Sequence, residues 1–164
     1  MAKIQFKNGG DYLLRLETLE GLAKQNLLGS VVYDGAAVVA DIVRKEIQTL
    51  PEDNRWGTQD NPIVGPSTYQ KKGLEDSFGI STLRNDNGFV NVKLGFDGYN
   101  GLKTKRWPSG QPNQMIARSV ERGTSWMKAN PFMKRALRKA RKQALEVMDS
   151  KLQIEIQKIM KRSG

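Results

Sequence analysis

The stretch FGISTLRNDNGFVNVKLGF, residues 78–96, decides the fold class. Phe78, Ile80 and Thr82 fall at every second position ahead of Asn85, Asp86, Asn87 and Gly88, and Val90, Val92, Leu94 and Phe96 do the same behind them. Period-two spacing puts those side chains on one face of a strand, and an Asn-Gly step supplies the positive φ values of a tight turn. A β-hairpin over residues 78–96 is predicted. The other periodic segments are helical, so the fold expected is α+β: an antiparallel sheet, made of this hairpin and further short strands, packed against N-terminal helices and a long C-terminal helix.

Upstream, Lys3, Ile4, Gln5 and Phe6 alternate as a short strand before a turn at Asn8, Gly9 and Gly10. Asp11 is placed to cap a helix whose face carries Tyr12, Leu16, Leu19, Ala23 and Leu27. Gly29 and Ser30 predict a break or kink, with Ser30 as a new cap, and Ala36, Val39, Val43, Ile47 and Leu50 resume the spacing up to Pro51. Residues 11–50 are thus read as two consecutive helices or one bent one. Residues 51–66, rich in Pro, Asn, Asp and Gly and carrying an isolated Trp56, are read as a loop. A loop of this length in a compact domain is usually functional or ordered by a neighbour.

Downstream, DGYNGLKTKRWPSGQPNQ over residues 97–114 is again loop-like, with Lys103, Lys105, Arg106 and Trp107 side by side. The last element is a long helix over residues 131–161. Asn130 is its expected N-cap and Pro131 its first helical residue, where a missing N–H costs nothing. Met133, Leu137, Ala140, Ala144, Met148, Leu152, Ile156 and Ile159 form its apolar stripe. About thirty residues at 1.5 Å rise make a rod of roughly 45 Å, whose far half is expected to pack on another subunit. The 164 residues are read as one domain.

Charge and composition narrow the chemistry. Residues 1–100 carry 11 basic and 13 acidic side chains, and residues 101–164 carry 16 and 4, so the net +10 belongs to the C-terminal part. With no histidine and no cysteine, there is no imidazole base or ligand, thiolate nucleophile, or disulfide. Glu52 and Asp53, and Glu75 and Asp76, are sequence neighbours whose side chains diverge, and the stretch from Asp97 to Gly101 lacks the twelfth-position Glu of a calcium loop. No glycine-rich stretch ends in the phosphate-loop Lys-Ser/Thr. No catalytic residue, metal or cofactor is expected, and the chain is not read as an enzyme. No run of 18 apolar residues occurs, so no membrane span is expected either.

Lys134, Arg135, Arg138, Lys139, Arg141 and Lys142 place six cations within nine residues of the last helix. They suit a charged protein interface, the phosphates of DNA or a plain solvated face, and the 103–107 cluster suits the first two. Cations at a helix N-terminus oppose the macrodipole, a cost that an anion would relieve.

Two segments resemble one family. Lys72, Gly73, Leu74, Glu75, Asp76, Ser77 and Phe78 resemble the "TG-x-L-x-x-S-I" element of the gene-product-ten-like minor tail component family of lambda-like tailed phages. The run from Ile116 through Glu121, Gly123, Thr124 and Ser125, then Asn130, Pro131, Phe132 and Leu137, resembles its "YA-x-x-VE-x-GT-S … PF-x-x-PA-L" signature. Arg122 stands in place of an aromatic, Arg135 in place of a proline and Lys72 in place of Thr. The resemblance implies a virion structural protein, assembled in the host cytoplasm, that forms a ring of six or twelve copies at the neck. Its implied partners are itself, the head connector or stopper, the tail terminator or tail tube, and genome DNA in the channel. A tail tube terminator and a non-sequence-specific DNA-binding protein are the alternative readings. Glu121, one of four acids after position 100, is read as a subunit contact, and Gly73, Leu74, Ser77, Gly123, Thr124, Pro131 and Phe132 as residues that maintain the fold.

Overall fold

The structure, a computed structural model, describes residues 21–162; the predicted strand at residues 3–6, the Asp11 cap and the helical positions Tyr12, Leu16 and Leu19 lie outside the described residues. The element order is α1 (Gly21–Gln48), α2 (Thr68–Ser77), β1 (Phe78–Ile80), β2 (Arg84–Asp86), β3 (Phe89–Asn91), β4 (Leu94–Phe96), α3 (Asn113–Arg122) and α4 (Phe132–Arg162). The fold is α+β, with four helices and two small antiparallel sheets among the described residues. Two compact units divide the chain. One comprises the described residues up to Val39, Ser81–Lys93 and the described residues from Ala140; the other comprises Ala40–Ile80 and Leu94–Lys139.

In the first unit, Leu27 and Val31 of α1 cluster with Met148, Leu152 and Ile156 of α4, all at most 5% exposed. Each such buried aliphatic contributes about 1.5–3 kcal/mol relative to exposure. The two helix segments also meet at Asp34, which lies 3.8 Å from the Lys151 ammonium, and at Gly35, where a Cβ would run into the Met148 side chain. The expected break at Gly29 and Ser30 is absent, because α1 runs unbroken through both. Gly29 serves packing instead: a Cβ there would stand 2.5 Å from Cδ2 of Leu83.

The hairpin forms in two ladders rather than one. Phe78 pairs with Phe96 and Ile80 with Leu94, whereas Arg84 pairs with Asn91 and Asp86 with Phe89. Between the ladders, Ser81 still faces Lys93 through a 2.8 Å backbone bond, so Thr82 and Leu83 oppose the single residue Val92. That two-against-one count is a bulge, and alternation alone does not reveal it. The turn is shorter than the four-residue signal, since only Asn87 and Gly88, with φ of 55° and 87°, lie outside the strands. Both angles positive make this the primed turn that matches strand twist.

In the second unit, Val43, Ile47 and Leu50 from α1 and the loop after it, Leu74 from α2, Ile116, Ala117 and Val120 from α3, and Phe132 and Ala136 from α4 supply the core. Phe78 and Phe96 sit 5.2 Å apart across the β1–β4 ladder, Phe132 meets Phe96 edge-on at 6.2 Å, and the Arg44 guanidinium lies over Phe78. Helix α2, which the hydrophobic spacing does not announce, begins in a capping box: Ser67 accepts the Gln70 amide and the Gln70 side chain accepts the Ser67 amide. Lys71 on that helix donates to the carbonyls of Gln48 and Leu50, closing the C-terminus of α1.

Helix α4 departs from its expected start. It begins at Phe132, and the Pro131 carbonyl accepts the Arg135 amide, so Pro131 occupies the capping position that the sequence assigned to Asn130. The buried stripe at this end runs through Phe132 and Ala136 rather than Met133 and Leu137, and rejoins the expected positions at Ala140, Ala144, Met148, Leu152 and Ile156. The 97–114 loop also ends early, because Asn113 and Gln114 already belong to α3. By length and composition Lys24–Gln48 could cross a membrane; seven residues of α1 lie in the core, and a core helix meets the same test.

Candidate interaction surface

The six cations of α4 do not act as one group. Glu46 of α1 is 6% exposed, and its carboxylate takes the Arg135 Nε at 2.7 Å and the Lys139 ammonium. The hydrogen bond from Lys139 holds the Glu46 carboxyl below its ordinary range; burial opposes this, and Arg135 adds to it. Arg135 also donates to Asn130 Oδ1 at 2.9 Å. These two cations, expected at an interface or on DNA, are therefore engaged within the chain. Lys134, Arg138, Arg141 and Lys142 are exposed and have no acid within ion-pair distance among the described residues. At 100° per residue they fall within an arc of roughly 100° on the helix.

Glu121 also has a role inside the chain. Its two oxygens accept the amides of Met133 and Lys134 at 2.9 and 3.1 Å, so the carboxylate from the end of α3 caps α4. The reading of Glu121 as a subunit contact did not include this capping role. The anion that the sequence demanded at this cation-rich N-terminus is supplied from eleven positions before Phe132. The capped amides are those that α4 leaves unpaired at its first turn.

Other residues read as maintaining the fold hold the second unit together. Gly73 lets α2 approach closely, since a Cβ would lie 2.5 Å from Asn113 Oδ1 and 2.8 Å from the Asn100 Cβ. Leu74 is fully buried. Gly123 closes α3 at φ 76°, and Thr124 Oγ1 accepts the Trp126 amide at 3.3 Å. The Ser77 hydroxyl and Asn113 Oδ1 are buried without a hydrogen-bond partner among the described residues.

Both long loops are built around one buried polar side chain. Asn100 is 5% exposed; its Oδ1 accepts the amides of Leu102 and Gln111, each at 3.0 Å, and its Nδ2 reaches Gln111 Oε1, which also accepts from Gln70. Gly110 completes the loop at φ 100°, where a Cβ would run into the Asn100 carbonyl. At the tip, Thr104 and Trp107 exchange backbone bonds of 3.0 Å, leaving Lys105 and Arg106 as the two central turn residues. Arg106 stacks over the Trp107 ring at 5.8 Å. Tyr99, Trp107, Pro108, Ser109 and Gly110 line a shallow depression of about 280 Å³.

In residues 51–66 the buried side chain is Asp53, which takes the Arg55 guanidinium at 2.7 and 2.9 Å and the amides of Arg55 and Val64. The hydrogen bonds from Arg55 hold its carboxyl well below the usual range. Ile63 bridges to Met127, and Gly57 lies against the Trp126 carbonyl. Trp56 is 92% exposed and Trp126 is 54% exposed. Trp126 was not selected from the sequence; its signal is an aromatic directly after the Thr124 and Ser125 motif.

Glu52 and Asp53, expected to diverge, do so. Glu52 turns to Thr68 and Lys71 while Asp53 turns to Arg55, and no group of three acids able to hold a metal occurs among the described residues. Compared with known proteins, the chain matches no family model, no curated protein and no solved structure.

Proposed function

We propose that this chain is a structural protein of a tailed-phage virion that assembles as a ring at the neck, joining the head connector to the tail. The observation that carries the reading is the pair of long loops that are internally locked yet expose large aromatics. Trp56 and Tyr99 are 92% and 62% exposed on loops fixed by buried hydrogen bonds, and Trp126, 54% exposed, is tied to the first loop by the Ile63 amide, which donates to its carbonyl at 2.9 Å. Exposed aromatics on a preorganised segment are suited to binding a protein partner, because ordering is complete before association. The family resemblance supplies the identity of the assembly, and its motif residues occupy packing, capping and turn positions in the second unit.

The test is genetic and structural. Particles made without this chain should accumulate as filled heads and separate tails, and adding the purified chain should join them. A reconstruction of complete virions without density for it at the head–tail junction would overturn the reading.

Lys134, Arg138, Arg141 and Lys142, on one arc of α4 and without acidic partners among the described residues, favour DNA contact as a second reading. Each phosphate they neutralise should steepen the salt dependence of binding, and Arg138→Glu should flatten it. Absence of binding to duplex DNA at 50 mM salt, a level at which phosphate contacts are strong, removes this reading.

A further inference from the structure

We infer that the basic tip of the 97–112 loop docks on an acidic corner of a second copy of this chain, formed by Glu75, Asp76 and Asp97. The inference rests on the ring reading and names a contact that would build the ring. Lys103, Lys105 and Arg106 are exposed at the loop tip, and none has an acidic partner within ion-pair distance among the described residues. The tip is already rigid, through the Thr104–Trp107 backbone pair and the Asn100 and Gln111 bonds at its root. Docking it therefore orders little additional chain.

The acidic corner has the complementary deficit. Glu75 and Asp76 are exposed in the last turn of α2, which contains no basic residue, so both sit at the negative end of the helix dipole. The Asp97 amide bonds to the Ser77 carbonyl at 3.2 Å, which brings a third exposed carboxylate to the same helix end. No cation lies within ion-pair distance of the three among the described residues. In a chain of net +10 this leaves three carboxylates without an ion-pair partner among the described residues and three positive charges on one rigid tip. Opposite patches of equal charge on one chain are mutually complementary between copies. Under the ring reading the contact is made head to tail, tip of one copy on the corner of the next, and repeating it gives a closed ring when the rotation permits; a reciprocal pair of contacts would stop at a dimer, so crosslinks beyond the dimer are what this arrangement requires.

The absence of cysteine makes a clean test possible with the full chain. A variant carrying both Lys105→Cys and Asp76→Cys should form disulfide-linked ladders beyond the dimer under mild oxidation at 50 mM salt. Mixing the two single-cysteine variants should give a dimer joining one of each. In sedimentation, Lys105→Glu with Arg106→Glu, and separately Glu75→Lys with Asp76→Lys, should each weaken self-association about tenfold or more. An equimolar mixture of these two reversed variants should regain association, because each then offers the charge the other needs. All four positions are exposed, and unchanged thermal unfolding of the variants confirms that folding is not the cause.

The inference is overturned if the double-cysteine chain yields no crosslink, or if the mixture of reversed variants stays dissociated. It is also overturned if reversal at the tip abolishes duplex DNA binding while leaving self-association intact, which would assign the tip to DNA. The ring reading fails separately, on absence from the head–tail junction.

Discussion

The loops at residues 51–66 and 97–112 solve the same problem with different chemistry. Each is a long irregular segment fixed by one buried polar side chain, and each ends in a turn closed by a threonine. Thr58 and Asn61 are joined by a backbone bond of 3.2 Å and by the Asn61 amide to Thr58 Oγ1 at 3.1 Å; Thr104 and Trp107 repeat this at 3.0 Å for both bonds. The buried group is a carboxylate paired with Arg55 in one case and a neutral amide in the other. The turn presents Gln59 and Asp60 in one loop, and Lys105 and Arg106 in the other. The difference shows how fixing a loop and charging its tip can be separated: the basic tip stands over a neutral anchor, whereas the charged anchor lies under a tip without cations.

The largest effect is expected from removing the neutral anchor. Asn100→Ala leaves the amides of Leu102 and Gln111 without their acceptor, at a cost of about 1–3 kcal/mol for each donor that stays buried and unpaired. A fall in Tm of about 4 °C or more is expected in thermal unfolding. The Leu102 and Gln111 amides should lose hydrogen-exchange protection in the same variant, and protection that survives there would mean that these bonds do not fix the loop.

Gly110→Ala comes next. At φ 100°, with the Asn100 carbonyl in the path of a Cβ, the substitution should cost roughly 1–3 kcal/mol, whereas Gly98→Ala, at φ 63° and facing open space, should cost less. The two Tm values test whether strain at the anchor exceeds strain at the rim.

Acid should separate the loops. The Asp53 carboxyl is lowered mainly by the Arg55 hydrogen bonds, so its folded state binds protons less readily than its unfolded state. Its stabilisation is complete above the ordinary carboxylate range and is lost progressively as the pH falls below about 4. Glu46, lowered by Lys139 and Arg135, works in the same direction. The Asn100 anchor has no proton to gain; the carboxylate at that loop's start, Asp97, accepts only the neighbouring Gly98 amide among the described residues. In variants retaining one tryptophan, Trp56 fluorescence should change during acidification before Trp107 fluorescence does. Simultaneous change would show that the loops open together.

How much of this could be read in advance depends on the distance between partners. The hairpin was legible because alternation and the Asn87-Gly88 turn are local, while the bulge opposite Val92 was not, because alternation is unaltered on either side of it. Helix α2 was missed, because its signal is the pair Ser67 and Gln70 three residues apart, a capping box that the spacing of apolar residues does not detect. In α3, Ile116, Ala117 and Val120 form one face, but Pro112 and the polar residues around them hide its start. The cation cluster was legible as charge and not as contact. Glu46 lies 89 positions from Arg135, and only the folded chain shows that two of the six cations are already engaged. Glu121 was noticed for its rarity, but its destination at the first turn of α4 depends on how α3 ends.

The smallest effect distinguishes the two tips themselves. Thr58→Val and Thr104→Val each remove an exposed hydroxyl and should change stability by only about 0.5 kcal/mol, within the range of surface substitutions. Hydrogen exchange should nevertheless tell them apart. The Trp107 amide has two acceptors, the Thr104 carbonyl at 3.0 Å and the Thr104 hydroxyl at 3.0 Å, so one survives the substitution. The Asn61 amide has only Thr58 Oγ1 among the described residues and loses it. Exchange at Asn61 should therefore accelerate more in Thr58→Val than exchange at Trp107 does in Thr104→Val. If Trp107 accelerates as much as Asn61, its carbonyl acceptor does not hold the turn, and the basic tip is no more rigid than its counterpart.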